Sequence, residues 1–514
     1  MLNSISNNKR IAKNTLYMYM RMIVVMIVSL FTTRIVFNAL GIDDYGLYNV
    51  VGAIIVLFGF INSGLTTATR RYITTEIAKG NQDSQQEVFN LSIVAHGIIG
   101  FIVLILAETI GIYFVNYTLN ISPDRMFAAN VVYQVSVFTT IWNVFQAPYQ
   151  AAITAYERMN IYAYLSILDV VFRLAVAYIV FLYSGDKLIA YSIMICISVL
   201  TTTLVTRIYC NKAFPICRFR KPHDKSKLKE MFSYTGWSII GQFVVVLTSQ
   251  GVSMLVNVFF SVAANAAIGI SNQITGVVSQ FTSNFQVAFQ PQITKQYAVK
   301  EYESLNNLVL RASRFSSYLV LVFMIPIAFQ VENFLTIWLG QYPDYAVEFC
   351  LLTLFCLFID ALSAPLWMIA FADKNIKRYQ IIMAAIYSFN FIGAWLVLKL
   401  GFPPYSVIVA RCFVYSVALF VRLILVKEKL SKFSITEWCS DCLICTLRVI
   451  ALPVISLFLL RRVVEIHNKY LEIVVISGFA LLLMISAIYL LGLKDEERDI
   501  LKKTISRKIL KSKP

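Results

Sequence analysis

Apolar runs of membrane-crossing length alternate with short polar breaks along almost the whole chain. A helix needs about 20 mostly apolar residues to cross a bilayer core. Fourteen runs qualify, at 15–38, 46–68, 89–116, 126–150, 161–183, 187–208, 234–258, 265–290, 313–337, 347–372, 380–400, 403–426, 441–460 and 470–493. The pattern predicts an all-α polytopic membrane protein with about 14 spans. The eighth run is rich in Asn, Gln, Ser and Thr, and the first carries Arg21 and Arg34. Both therefore need a polar face turned away from lipid.

The runs follow one plan twice. Gln146-Ala147-Pro148-Tyr149, near the end of the fourth run, recurs 217 residues later as Ser363-Ala364-Pro365-Leu366, near the end of the tenth. A shift of 221 residues lays Asp44-Tyr45-Gly46-Leu47-Tyr48 over Asn265-Ala266-Ala267-Ile268-Gly269. The longest polar break, 209–233, falls where such a repeat needs a boundary. The expected organisation is a six-helix bundle over 1–208, a basic linker over 209–233, a second six-helix bundle over 234–426, and an appended helix pair with a basic tail over 427–514. Repeats built from several spans each are a transporter architecture, with the cargo bound between two bundles that rock.

Composition agrees with this. Hydrophobic residues make up 58% of the 514 and charged residues 14%, with a mean hydropathy of +0.70, whereas soluble domains are about one-quarter charged. A net charge of +17 would suggest nucleic acid in a soluble chain. Here the Lys and Arg lie mostly between apolar runs, where they orient the chain and meet anionic lipid, so no nucleic-acid partner is expected. With a cytoplasmic N-terminus, cytoplasmic segments collect about thirty Lys and Arg and outside loops about six, which assigns both termini to the cytoplasm. No small-residue cleavage site follows the first run, which is expected to be retained.

Nine cysteines are scattered and imply no disulfide framework. Cys439, Cys442 and Cys445 have metal-like spacing but lack a fourth ligand, and equally suit one face of a helix. Neither a metal nor another cofactor is expected. No phosphate-binding P-loop pattern is present, so ATP hydrolysis is not expected either.

Charges inside the apolar runs are the candidate chemistry, because each costs about 2.5–3.5 kcal/mol at mid-bilayer. Arg173 lies about twelve residues into the fifth run, about 18 Å deep. Asp169, four residues earlier, shares its face and suits an ion pair. That pair either binds an anion or only holds the bundle together. Arg21 and Arg34 sit about 220° apart on a straight helix. They either snorkel to the two surfaces or line one cavity at successive heights, where a guanidinium fork suits phosphate. In the second bundle, Asp360 is a candidate for carrying a coupling ion, with Arg411 as its alternative structural partner. His96 suits a helix contact better than a proton relay. Gln242, Gln250, Asn272, Gln273 and Asn284 are amides that fit sugar hydroxyls or interhelical hydrogen bonds.

The stretch Leu40-Gly41-Ile42-Asp43-Asp44-Tyr45-Gly46-Leu47-Tyr48 after a first span, followed by a second span ending in Gly64 and then Arg70-Arg71-Tyr72, resembles the polysaccharide-exporter branch of the multidrug/oligosaccharidyl-lipid/polysaccharide (MOP) flippases. The first span, Arg21-Met22 through Thr33-Arg34-Ile35-Val36, is similar to O-antigen flippases of that branch. The resemblance implies a MATE-like fold in a bacterial inner membrane and no chemical step. It also implies flipping of a polyprenyl-diphosphate-linked oligosaccharide, an O-antigen or capsular repeat unit, to the outer leaflet by alternating access. Arg21, Arg34, Arg173 and Asp169 would then hold the diphosphate, and the amides would line the glycan. A proton or sodium gradient and contacts with other polysaccharide-assembly proteins stay open. So do two rivals, a drug/cation antiporter of the same fold and a membrane polysaccharide polymerase or ligase.

Overall fold

The computed structural model describes residues 2–58, 65, 66, 69, 70, 72–74, 76, 77, 80–156, 158–218, 220, 246–372, 377–430, 432–463, 466 and 468–499. Among these residues there is no strand, and the chain is helical between short breaks. In chain order the main helices are α1 (Leu2–Phe58), α2 (Gln82–Thr118), α3 (Met126–Ala155), α4 (Met159–Leu182), α5 (Lys187–Ala213), α6 (Val252–Phe259) and α7 (Val262–Ala298). They continue as α8 (Tyr302–Leu339), α9 (Ala346–Ala372), α10 (Lys377–Lys399), α11 (Ser406–Lys429), α12 (Ile435–Val463) and α13 (Lys469–Gly492).

Ten helices among the described residues are long and apolar enough to cross a membrane. The runs expected at 15–38 and 46–68 belong to one helix, α1, kinked at Gly41 (φ 79°, ψ 179°), a conformation that suits a residue without Cβ. Residues 59–64 of the second run lie outside those described. The runs expected at 126–150 and 265–290 are helical as α3 and α7. The run at 234–258 is described only from 246, as a π-helical turn, Leu247–Gly251, leading into α6. The basic stretch at 209–233 lies outside the described residues from 221 onward.

The chain divides into two compact units, Met1–Gly269 with Pro343–Tyr345 and Tyr387–Val407, and Ile270–Tyr342 with Ala346–Ile386 and Ile408–Pro514. In the first unit, a core of Val50, Val51, Ile54, Ala95, Ile99, Ala129, Val132 and Tyr133 joins α1, α2 and α3. Tyr133 is fully buried and donates to the carbonyl of Ala107 at 2.7 Å, so its hydroxyl is satisfied. A Cβ on Gly46 would lie 1.9 Å from the Val262 carbonyl oxygen, and one on Gly269 would lie 2.9 Å from the Asn49 side chain. Gly46 therefore meets the backbone of the first turn of α7 directly, and Gly269, matched to the same motif by the 221-residue shift, meets the Asn49 side chain. Small residues permit this approach where lipid supplies no hydrophobic drive between helices.

The acidic part of the Gly41 motif has a structural role here. Arg125, ahead of α3, donates to both carboxylate oxygens of Asp44, at 2.9 and 2.6 Å, and to Asp186 at 2.7 Å. Asp186 caps α5 by accepting from the backbone N–H groups of Leu188 and Ile189. Burial pushes the Asp186 carboxyl up, but hydrogen bonds from Arg125 and Ile189 outweigh it and hold the group below the usual carboxylate range.

In the second unit α8 is the spine of the appended pair. At one end Glu472 of α13 accepts from Gln330 and Asn333 of α8, at 3.2 and 2.8 Å. At the other, Glu497 accepts from Arg311 at 3.1 Å and Arg314 at 2.6 Å. Between them Tyr318 donates to the Gly492 carbonyl at 3.0 Å, and Trp438 donates to Ser313 at 3.4 Å. Cys442 and Cys445 donate to the carbonyls of Leu310 and Leu491. The two echoed prolines occupy matching places, since Pro148 in α3 and Pro365 in α9 are each followed by seven more helical residues.

Candidate functional site

A cavity of about 310 Å³ opens within the first unit, walled by α1, α3, α4 and α5. Its charged lining is Arg21, Asp169 and Arg173. Its polar lining is Asn143, Gln146 and Gln150 from α3, Tyr162 and Ser166 from α4, and Thr202, Thr203 and Thr206 from α5. The helices place these groups by simple periodicity. Tyr162, Ser166, Asp169 and Arg173 recur at intervals of four, three and four, which stacks them on one face of α4. Asn143, Gln146 and Gln150 do the same on α3, and Thr202, Thr203 and Thr206 on α5.

The Asp169–Arg173 pair forms as its spacing suggests, with Arg173 Nε 2.9 Å from Asp169 Oδ2. The side chains remain 41% and 30% exposed. A pair this open contributes at most about 1 kcal/mol to stability. Its charges therefore remain available to a ligand. Arg21 is held differently, with its guanidinium 5.0 Å above the ring of Tyr162, also in the lining. Its Nε is buried and has no acceptor among the described residues. A buried donor left in that state favours an acceptor brought by a ligand.

Arg207, beside the cavity wall on α5, was not legible as a candidate from sequence. Its guanidinium lies 5.7 Å from the ring of Trp142 and 5.2 Å from that of Tyr149, and its Nε also lacks an acceptor among the described residues. The available signal was a cation in the last third of an apolar run, one residue after the cavity-lining Thr206.

The other candidates lie elsewhere. Arg34 is exposed on α1 and does not line this cavity. Gln242 lies outside the described residues. Gln250 is half-buried in the π-helical turn of the first unit, whereas Asn272, Gln273 and Asn284 are on α7 in the second. Asp360 lies 3.7 Å from Arg422, a residue the sequence reading did not single out. Arg422 is buried and also donates to Tyr379 at 3.0 Å and to Ser363. The partner foreseen for Asp360, Arg411, is half-buried on the same helix three turns earlier. His96 donates from Nδ1 to the Ser92 carbonyl at 2.8 Å, as a helix contact does.

Comparison with known proteins places this geometry. The family described as "Polysaccharide biosynthesis protein" matches residues 11–296, more than half of the chain. The "Uncharacterized membrane protein EpsK" of Bacillus subtilis (strain 168) is 20% identical over 369 residues, 71% of this chain and 72% of that protein. Among solved structures, the lipid II flippase MurJ in an inward closed conformation has a TM-score of 0.68 at 12% identity, covering 93% of this chain and 99% of that one. A MOP superfamily transporter from Pyrococcus furiosus has a TM-score of 0.57 at 13% identity, covering 82% and 96%. The fold is thus the MATE-like one that the Gly41 motif implied. The chain is a multi-pass membrane protein that belongs to the polysaccharide biosynthesis protein family.

Proposed function

We propose that the protein flips a polyprenyl-diphosphate-linked oligosaccharide across a bacterial cytoplasmic membrane, without a chemical step. The observation that carries this reading is the first unit's cavity. It combines guanidinium groups suited to a diphosphate with a wall of hydroxyls and amides suited to a sugar. Arg21 and Arg173 would take phosphate oxygens, while Asn143, Gln146 and the α5 threonines would meet the first sugar. About 310 Å³ is room for such a head, not for a long glycan or a polyprenyl tail, which must lie outside it. Similarity to a lipid II flippase supports a lipid-linked cargo, and the family supports a polysaccharide precursor.

The test is transport of a fluorescent polyprenyl-diphosphate sugar by the purified chain in sealed vesicles. Flipping should require the diphosphate and fail with the matching monosaccharide lipid lacking phosphate. Equal movement of both would remove the guanidinium-centred reading. Export of a lipophilic cation instead would favour the antiporter.

A further inference from the structure

A second cavity, of about 660 Å³, opens in the second unit between the first turns of α8 and the segment that follows α13. The α8 wall presents Asn307, Arg311 and Arg314, and the facing wall presents Lys494, Asp495, Glu496 and Glu497. Two features mark it as more than a surface cleft. Arg314 is 4% exposed, yet its Nε has no acceptor among the described residues, although its Nη2 reaches Glu497 at 2.6 Å. The Glu497 oxygen that takes Arg314 also takes Arg311, so one carboxylate is shared by two guanidinium groups. The α8 wall is short of negative charge, while Glu496 and Asp495 stand exposed on the other wall. Lys494 on that wall is paired with Asp441, so cations and anions are otherwise separated across the opening, and the lining among the described residues sums to zero.

That polarity matches a zwitterion. The apolar stretch of α13 ends at the cavity, with Leu490 and Leu491 exposed and Leu310 and Leu493 in its lining. The opening therefore lies where acyl chains give way to headgroups. We propose that the cavity binds the headgroup of a phosphoethanolamine lipid. Its phosphate sits between Arg311 and Arg314, and its ammonium sits against Glu496, with Asp495, already paired with Arg498, beside it. A purely anionic headgroup would leave the acidic wall unmatched. A choline headgroup has no N–H to donate to carboxylates, and among the described residues the lining holds no aromatic ring for a quaternary ammonium.

The full-length protein is reconstituted in phosphatidylcholine nanodiscs doped with phosphatidylethanolamine or phosphatidylglycerol, released, and its retained lipids are counted by native mass spectrometry. Wild type should keep one phosphatidylethanolamine in preference to either other lipid. Arg311→Gln and Glu496→Gln should each lower that retention about tenfold, the loss of one charge-assisted contact. Glu496 is exposed, so its variant folds even if Arg311→Gln does not. Retention of phosphatidylglycerol that Glu496→Gln leaves unchanged would make this an anion site and overturn the proposal, as would equal retention of all three lipids. Competition by soluble phosphoethanolamine at the same concentration as the lipid would assign the site to a free metabolite and overturn it too.

Discussion

The two units hold their charges in different ways. In the first, Asp169 and Arg173 remain 30% and 41% exposed on a cavity wall, and Arg21 leans on a tyrosine with a donor unspent. In the second, Arg314 and Glu497 are 5% and 8% exposed and fasten the appended helices to α8, as Glu472 does at the other end. Arg422 is likewise buried against Tyr379, Ser363 and Asp360. A charge that is open and loosely held can exchange its partner for a ligand. One that is dried and shared keeps its protein partner even where, as at Arg314, a further donor is left for a ligand, because removing that partner leaves an uncompensated ion. Depth along a helix cannot separate these cases; exposure can.

The largest effect should come from breaking a committed charge. Glu497→Gln strands the buried Arg314 guanidinium, Arg311 being 45% exposed, and should cost about 3 kcal/mol, read as a marked fall in melting temperature of the detergent-solubilised protein. Transport per folded molecule should stay near wild type. The opposite profile is expected of the first unit. Asp169→Asn should shift melting by less than about 1 kcal/mol while impairing flipping. Identical profiles for the two variants would erase the comparison.

Next in size is Arg173→Ala, which should slow flipping about tenfold to a hundredfold, the worth of a charged hydrogen bond to the cargo. Arg173→Lys should also be impaired, because an ammonium cannot reproduce the bidentate fork. The double variant Asp169→Asn/Arg173→Gln sharpens the test, since a merely structural pair would be rescued by losing both charges. Near wild-type flipping in that variant would move the diphosphate to Arg21 and Arg207.

Much of this was legible in the chain, and the limits have physical causes. Period alone placed Asp169 and Arg173 on one face, because i and i+4 are neighbours on any α-helix. The echo around Pro148 and Pro365 marked equivalent positions because a proline inside a helix leaves a local trace in sequence. The cavity wall was not legible. Ser166, Thr202, Thr203 and Thr206 are single hydroxyls in apolar runs, and a helix can satisfy such groups on its own carbonyls, as Ser166 does with Tyr162 at 2.8 Å. Amide-rich α7 drew attention instead. Arg422 was missed because sequence gives depth, and only packing brings this second arginine of α11 to Asp360.

Asp360 is intermediate between the two uses of charge. It is 46% exposed, but its partner Arg422 is 8% exposed. Asp360→Asn should reduce stimulation by an ion gradient while leaving gradient-free flipping of the labelled lipid intact, measured in vesicles with and without imposed gradients. Unchanged stimulation would class Asp360 with Glu497, as part of the scaffold.

The smallest effect tests whether the first unit also contains committed charge, at its loop ends. Asp186 is 32% exposed and tied to Arg125 and to the start of α5. Its carboxyl is held below the ordinary value of 3.8. The stability it contributes is therefore complete above that value and is lost as pH falls through the lower folded value. Asn at this position keeps the helix cap and removes the charge. Wild type should thus be more stable than Asp186→Asn near neutral pH by less than about 1 kcal/mol, with the two melting curves converging as the pH drops below about 4. Asp44 grips the same guanidinium, so the informative quantity is the difference between the two proteins, not the acid sensitivity of either. Flipping at neutral pH should be unaffected. A transport defect in Asp186→Asn as deep as that of Arg173→Ala would mean that the Arg125 clasp belongs to the working site, and that paired charges at helix ends cannot be set apart from open ones in the cavity.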